Sequence, residues 1–363
     1  MIRLTVPTIE EDDLAAVRDA VSSGFLVQGS RVQALEAEVA RLADTQHAVV
    51  VSSGTAALHC SLIALGISTG DRVAIPAYSF LATANVVELV GATPVFVDIE
   101  ADTFAIDPDA LERAVGKDRI AAVIPVHPFG QVADMAGIAA AAPAIPVIED
   151  GAAALGASQD GRPAGGLGTL GCFSFHPRKA VTTGEGGAVT TNDPAMTRVL
   201  RALRNHGMDP DSPSPDFMLP GFNYRMTDFQ AALGLTQIAK LDRIVAGRRE
   251  AAGRYDALLA GTAVRAPVCR PGNEVVVQSY VTLLPDGVDR GALMSRLRED
   301  GIETQIGTYH MPLSTWFRNR YGYRRGDFPM TDSVADKALT LPLHPAIRPE
   351  EQAMVIDRLL AAL

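Results

Sequence analysis

A single lysine stands between a short apolar strand and a glycine-rich turn in the segment Cys172–Asn192. Lys179 follows Ser174 by five positions, and Asp150 closes a separate apolar run, Ile145–Glu149. An amine at the end of a strand can form a Schiff base with an aldehyde cofactor when burial and nearby cations relieve its charge. A carboxylate on a second strand can keep a pyridine nitrogen protonated. Lys179 and Asp150 therefore predict a pyridoxal 5'-phosphate enzyme in which both are catalytic.

The phosphate of this cofactor requires a site of its own. The segment His47–Leu58 has the pattern of a strand, a small-residue turn and the start of a helix, and helix N-termini bind anions through free N–H groups. Gly54 and Thr55 are the predicted phosphate contacts, and Ser174 would add a hydroxyl. An aromatic residue at the end of another strand can cover the cofactor ring, and we favour Phe80 over Tyr78 for that role.

Five ordered segments stand out along the chain, namely Ser52–Leu58, Gly91–Asp98, Phe173–Lys179, Thr183–Gly187 and Gly221–Asp228. They resemble the DegT family of sugar aminotransferases, and the match spans nearly the whole chain. The resemblance implies a fold-type I pyridoxal enzyme, with a mostly parallel seven-stranded sheet covered by helices in its large domain. It also implies a homodimer with shared active sites, in which Asn223 reaches the phosphate of the partner subunit's cofactor.

By the same resemblance, the reaction is transfer of an amino group from glutamate or glutamine to a keto-sugar carried on a nucleotide. Pyridoxamine phosphate is the intermediate between the two halves of that reaction. Such enzymes serve amino-sugar biosynthesis for antibiotics, cell-surface polysaccharides or glycans. Retention of Lys179 argues against the sugar dehydratases of the family, in which histidine replaces the lysine. The chain departs from the family at Ala153, where relatives commonly carry a polar residue.

Two other functions use the same framework. An aminotransferase acting on a keto-cyclitol such as scyllo-inosose would need the same residues, so the sequence does not separate it from the sugar enzyme. A non-catalytic regulatory paralogue should have lost Lys179 or Asp150, and both are present.

A third alternative, a nicotinamide-dependent oxidoreductase, would need the glycine motif at 166–171 to bind its cofactor. That motif leads into a strand, whereas a dinucleotide-binding motif opens a helix. We interpret it as a flexible connection.

Four residues are candidate substrate contacts. His176 lies three positions before the lysine, and Arg225 belongs to the segment that carries Asn223. Tyr309 and His310 lie in a loop-like stretch before several arginines, and a nucleotide diphosphate would need cations of this kind. The histidines lack metal-ligand spacing, so no metal site is predicted.

Composition narrows the class of protein further. A net charge of −10 argues against nucleic-acid binding, which depends on clustered lysine and arginine. The three scattered cysteines suggest a reducing compartment, and Cys172 is expected to be a buried core residue. The beginning of the chain lacks the features of a signal peptide, and no apolar run is long enough to span a bilayer. We therefore expect a cytoplasmic enzyme without membrane partners.

The elements that must position these residues alternate along the chain. Short apolar runs, separated by room for crossover helices, predict a parallel sheet covered on both faces. Beyond about residue 270 the pattern changes to a smaller α+β unit that begins with a predicted strand, Val275–Leu284. We therefore predict a large cofactor domain, 1–260, and a small domain, 261–363. The predicted strands of the large domain are Val49–Val51, Val73–Ile75, Pro94–Val97, Ala121–Val126, Pro146–Ile148 and Gly184–Thr191.

Overall fold

A computed structural model describes residues 1–363, and its largest feature is a seven-stranded sheet. The strands lie in the order β1-β10-β9-β6-β5-β2-β4, with β5 and β6 joined by the parallel bridges Val123–Val147 and Val126–Asp150. Only β10 runs antiparallel to its neighbours. The predicted mostly parallel sheet is confirmed. Its strands are β1 (His47–Val51), β2 (Arg72–Pro76), β4 (Thr93–Val97), β5 (Ala122–Val123), β6 (Ile148–Asp150), β9 (Leu170–Ser174) and β10 (Gly187–Thr191).

Helices cover both faces of this sheet. Along β1, Ala48 and Val50 pack into one hydrophobic cluster while Val49 and Val51 pack into another, as the alternation of side chains along a strand requires. The helices are α1 (Glu11–Ser22), α2 (Ser30–Leu42), α3 (Gly54–Ala64), α4 (Ala82–Leu89), α5 (Pro108–Lys117), α6 (Met135–Ala141), α7 (Pro194–Arg204), α8 (Asp228–Ala239) and α9 (Leu241–Leu259).

Capping residues fix where several helices begin. The Ser53 side chain accepts a hydrogen bond from the N–H of Ala56 at the start of α3. Asp107 and Asp193 cap α5 and α7 in the same way, and each is followed by a proline at the first helical position. Proline is favoured there because the first N–H groups of a helix have no acceptor within it.

The C-terminal unit is built on a three-stranded antiparallel sheet in the order β12-β15-β13. Side chains from α9 (Ala251, Tyr255, Leu259) join the hydrophobic cluster beneath it, and so does Ile2 from the N-terminal segment. No helix of the chain is both long and apolar enough to cross a membrane. The elements are β12 (Tyr280–Leu283), α10 (Arg290–Glu299), β13 (Gln305–Ile306), α11 (Thr315–Tyr321), α12 (Pro329–Lys337), β15 (Ala338–Leu341) and α13 (Pro349–Ala361).

Two small sheets connect these parts. In one, β3 (Tyr78–Ser79) pairs with β14 (Tyr309–His310), and in the other β7 (Ser158–Gln159) lies between β8 (Arg162–Pro163) and β11 (Asn273–Glu274). Short 3₁₀ turns occur at Pro128–Gly130 and Met311–Leu313. The strand expected over 275–284 is shorter than predicted, because Val277 has φ +51° and only 280–283 continue as β12.

Candidate active site

The candidate catalytic and phosphate-binding residues lie at one edge of the main sheet. Asp150 ends β6, Ser174 ends β9, and Gly54 begins the helix that follows β1. These three strands run in the same direction, so their carboxyl ends meet at a shared edge. Ligands of open α/β sheets bind at such edges.

Lys179 lies on a loop that is tied to the sheet at both ends. The N–H of Phe175 donates to the carbonyl of Gly186 at 2.9 Å, and the N–H of Thr183 donates to the carbonyl of Phe175 at 3.0 Å. Within the loop, the N–H of Lys179 donates to the carbonyl of His176 at 2.8 Å. The lysine backbone is therefore held by hydrogen bonds before any ligand binds.

Burial and two neighbouring charges act on the amine of Lys179. Burial lowers the pKa of Lys179, the negative charge of Asp150 opposes that change, and the positive charge of Arg178 adds to it. A lysine with a lowered pKa is the form of this side chain that acts as a nucleophile or a general base.

Asp150 is 5% exposed, and both of its oxygens accept hydrogen bonds. The hydroxyl of Thr83 donates to one oxygen at 2.7 Å, and the N–H of Ala152 donates to the other at 3.2 Å. Thr83 is itself buried, and the sequence analysis did not identify it. Nothing in the sequence separates Thr83 from Asn85 and Glu88, the other polar residues of α4. These donors orient the carboxylate and leave it capacity to accept further hydrogen bonds.

A buried polar cluster is centred on Glu149, which precedes Asp150 in β6. The Glu149 carboxylate contacts Nε2 of His127 at 2.9 Å and accepts backbone N–H groups from Gly165, Leu167 and Gly168 at 2.6 to 2.8 Å. Nδ1 of His127 accepts the N–H of Ala133, so we assign the proton to Nε2. Burial alone would raise the pKa of Glu149, but His127 and the backbone donors hold it below its usual value.

This cluster corrects the interpretation of the glycine motif at 166–171. The segment is not a flexible connection, because its backbone is anchored on Glu149 at 165, 167 and 168. The motif also leads directly into β9 rather than into a helix. It therefore does not have the geometry of a dinucleotide-binding turn.

Gly54 and Ser174 face each other across a narrow gap. A Cβ atom at Gly54 would lie 2.8 Å from Cβ of Ser174, and one at Gly187 would lie 2.5 Å from the carbonyl of Ser53. Such distances are too short for carbon contacts, so glycine is required for this close approach. The N–H groups of Gly54 and Thr55 begin α3 and have no acceptor within the helix. Together with the Ser174 hydroxyl they form a cup of the kind that binds a phosphate.

Phe80 and Tyr309 lie together at the open side of the site. Phe80 is 62% exposed and Tyr309 is 41% exposed, and their ring centroids are 6.1 Å apart. Tyr78 is fully buried, and its hydroxyl accepts the N–H of Thr308 at 3.0 Å. Phe80, and not Tyr78, is therefore placed where it could contact a ligand.

Successive side chains of a strand point to opposite faces, so His310 and Tyr309 lie on different sides of β14. Its Nε2 contacts a carboxylate oxygen of Asp332 at 3.1 Å, and its ring packs edge-on against Phe328. Burial lowers the pKa of His310, and the negative charge of Asp332 partly offsets this decrease. Of the two predicted substrate contacts in this strand, the geometry favours Tyr309.

Asn223 and Arg225 lie on an extended segment beside the phosphate cup. The N–H of Ser52 donates to the carbonyl of Tyr224 at 2.9 Å, and Arg225 donates to the side chain of Asn205 at 2.7 Å. The Asn223 side chain is exposed and makes no hydrogen bond within its own chain. It is thus available to a ligand or to a second subunit.

The residues present fit pyridoxal phosphate. The cup at Gly54 admits a phosphate because no Cβ occupies it, Asp150 is an oriented carboxylate, and Lys179 is an amine with a lowered pKa. Cys172 is buried and contacts Ser61, as expected for a core residue. No group of three or more histidine, cysteine or acidic side chains is arranged to hold a metal ion.

Comparison with known proteins agrees with this fit. The family model for the DegT/DnrJ/EryC1/StrS aminotransferase family matches residues 7–360. The protein named "putative sugar aminotransferase Spr1654" from Streptococcus pneumoniae, solved in its PLP form, is 30% identical, with a TM-score of 0.94 over 99% of this chain and 98% of that chain. It has also been solved in its PMP form.

Two further solved structures are similar over nearly their whole length. DesV from S. venezuelae is 33% identical, with a TM-score of 0.90 over 97% of this chain and 94% of that chain. PseC from Helicobacter pylori, an aminotransferase involved in the biosynthesis of pseudoaminic acid, is 25% identical, with a TM-score of 0.93 over 99% and 98%. The chain belongs to the DegT/DnrJ/EryC1/StrS aminotransferase family and is a pyridoxal-phosphate-dependent aminotransferase of fold type I.

Proposed function

We propose that this enzyme transfers an amino group from glutamate or glutamine to a keto-sugar carried on a nucleotide, in amino-sugar biosynthesis. The observation that carries the proposal is the placement of Lys179 near Asp150, at the edge of the sheet that also holds the cup at Gly54. The names of Spr1654 and PseC support a sugar acceptor. The choice of donor and the nucleotide carrier rest on the sequence resemblance alone.

Lys179 carries two roles in this proposal. When bound, pyridoxal phosphate supplies an aldehyde for the amino group and an electron-withdrawing ring. Lys179 would hold the cofactor through its side-chain amine until an amino donor takes its place. As a free amine with a lowered pKa, it moves a proton between the α-carbon of the donor and C4′ of the cofactor. In the second half it moves a proton in the opposite direction, on the carbon that receives the amino group.

Asp150 and the cup hold the cofactor for these transfers. Asp150 would keep the pyridine nitrogen protonated, and the hydroxyl of Thr83 holds its carboxylate in a fixed orientation. Gly54, Thr55 and Ser174 bind the phosphate, and Phe80 covers the ring. His176, Arg225, Tyr309 and His310 remain proposed substrate contacts, and the exposure of Tyr309 beside Phe80 supports its proposed role.

A homodimer with shared sites completes the proposal. The exposed side chain of Asn223 would donate to the phosphate of the partner subunit's cofactor, so each site would contain residues of two chains. We place the enzyme in the cytoplasm, because none of its three cysteines is paired and a reducing compartment suits such a chain.

A substrate panel tests this function. The purified enzyme would be incubated with glutamate, glutamine or alanine to convert its cofactor to the aminated form. This form would then be mixed with nucleotide-linked keto-sugars or with scyllo-inosose. We expect glutamate or glutamine to be the best donor, and a nucleotide-linked keto-sugar to restore the original spectrum and yield an amino-sugar. If scyllo-inosose alone restored the original spectrum, the acceptor would be a keto-cyclitol and not a keto-sugar. Failure of every donor to change the spectrum would favour a non-catalytic paralogue.

A further inference from the structure

A polar cavity opens between the lysine loop, the N-terminal segment and α10. Its volume is about 670 Å³, and residues from all three elements line it, including Arg3, His176, Arg178 and Arg298. We call this cavity the arginine basin. It lies beside the catalytic loop, because His176 lines it and the carbonyl of His176 accepts the N–H of Lys179 at 2.8 Å.

Three arginines of the basin have no partner within the chain. Arg3, Arg178 and Arg298 form no ion pair, and no hydrogen bond from their guanidinium groups is present. Most other arginines of this acidic chain are paired, as Arg270 is with Glu100 and Asp134. Three unpaired cations that converge on one cavity produce a local positive potential, which attracts anions despite the overall charge of −10.

The remaining groups of the basin offset little of this charge. Glu303 is the one carboxylate that lines it, and one of its oxygens already accepts the N–H of Leu4 at 2.9 Å. Burial lowers the pKa of His176, so its ring contributes less positive charge than an exposed histidine would. The hydroxyl of Thr5, which also lines the basin, is buried without a hydrogen-bond partner. The basin therefore presents a net excess of donors and positive charge.

We propose that the arginine basin binds the diphosphate group of a ligand. Guanidinium groups donate two parallel hydrogen bonds to phosphate oxygens, and three of them on separate elements can surround two linked phosphates. The volume also leaves room for a nucleoside attached to the diphosphate. The diphosphate belongs either to the nucleotide-linked substrate, in which case the inference rests on the proposed function, or to a free nucleoside diphosphate.

Direct binding tests the basin without any sugar substrate. Inorganic pyrophosphate, UDP and dTDP would be titrated by calorimetry into the cofactor-loaded enzyme and into Arg3→Gln, Arg298→Gln and the double variant. Arg296→Gln is the matched control, because Arg296 lies on α10 and is also unpaired but does not line the basin. Arg178 is left unchanged because it affects Lys179.

We expect pyrophosphate to bind saturably, each single variant to bind it roughly tenfold more weakly, and Arg296→Gln to match the parent. Binding should also weaken as salt concentration rises. Equal affinity in the parent and the double variant, or no saturable binding of any of the three ligands, would overturn the proposal. Circular dichroism of the variants would establish that they remain folded.

Competition separates the two sources of the diphosphate. If pyrophosphate inhibits competitively against the keto acceptor, the basin holds the diphosphate of the substrate. If it binds in the basin without competing, the site serves a free nucleoside diphosphate. The titration needs no turnover, so diphosphate binding in the basin could be established even if the substrate panel gave no product. Conversely, the panel could identify the substrate even if pyrophosphate did not bind.

Discussion

The charge of Lys179 is set by groups that act in opposite directions. Burial and Arg178 lower its pKa, whereas Asp150 raises it. Only the uncharged amine can attack an aldehyde, so this balance determines the pH at which the cofactor-free enzyme takes up pyridoxal phosphate. Removing either neighbour should therefore move that pH in a known direction.

We predict opposite shifts for two single variants. Arg178→Gln removes a positive charge, so the pKa of Lys179 rises and the midpoint of the loading rate against pH moves upward. Asp150→Asn removes a negative charge, so the midpoint moves downward. Stopped-flow loading across a pH series would measure both midpoints, with Arg162→Gln as an exposed control. Shifts of the same sign in the two variants would contradict the proposed electrostatics.

Asp150 and Thr83 should differ in how strongly they affect turnover. Asp150→Asn should bind the cofactor but transaminate poorly, because a neutral amide cannot keep the pyridine nitrogen protonated. Thr83→Val removes only the 2.7 Å donor to Asp150 and should lower kcat by roughly tenfold, since a hydrogen bond to a charged group contributes about 1.5 kcal/mol or more. Steady-state kinetics would measure both, and Thr83→Ser should retain activity. Activity of Asp150→Asn within about twofold of the parent would exclude its role.

The sequence identifies residues whose chemistry is recognisable, but not the residues that orient them. Lys179 and Asp150 stand out because an amine and a carboxylate each follow an apolar run. Thr83 is separated from Asp150 by 67 residues and His127 from Glu149 by 22, so only the folded sheet brings these pairs together. No local pattern distinguishes such residues from ordinary buried polar side chains.

At the scale of elements, the turn from β1 to α3 must approach β9 very closely. We predict that Gly54→Ala weakens cofactor binding, because its Cβ would lie 2.8 Å from Cβ of Ser174 and force the cup open. Gly116→Ala in α5 is the control, since a Cβ there would contact nothing within 4 Å. Equilibrium titration with pyridoxal phosphate would compare the two. Equal affinity for the cofactor in both variants would show that the close approach does not shape the phosphate site.

Elements with strong local signals are predicted well, and those shaped by distant contacts are not. Strands β1, β2 and β4 and helices α3 and α4 follow the expected pattern, because apolar runs alternate with crossover lengths. The predicted strand over 275–284 is interrupted at Val277, whose positive φ has no signature in its residue type. The loop at 165–168 is ordered by Glu149, which is distant in sequence.

At the scale of the whole molecule, the proposed dimer makes each active site depend on two chains. Losing one hydrogen bond to the phosphate should weaken cofactor binding by roughly 1.5–3 kcal/mol, so Asn223→Ala should be impaired mainly at limiting pyridoxal phosphate. Co-refolding Asn223→Ala with Lys179→Ala should give heterodimers with one intact site and one doubly altered site. Activity of this mixture at limiting cofactor would then exceed that of either homodimer.

The same mixing experiment has a clear contrary result. The carbonyl of Tyr224 accepts a hydrogen bond from Ser52 of its own chain, so the Asn223 segment also lies near its own phosphate cup. If Asn223 acts within its own subunit, no heterodimer site is intact and mixing restores nothing. Confirmed heterodimers without a site of parental affinity would therefore reject the shared site. The boundary between the large cofactor domain and the small domain, at 260/261, also remains a prediction.

The most direct test of the account is to find which residue carries the cofactor. Borohydride would be added to the cofactor-loaded enzyme, and the labelled peptide would be identified by mass spectrometry, with Lys179→Ala treated in parallel. We expect the label on Lys179 in the parent, and in the variant no label, retained non-covalent cofactor binding and turnover lowered by at least roughly 10²–10⁴. Label on Lys117, Lys240 or Lys337, or near-normal turnover of Lys179→Ala, would contradict the central assignment.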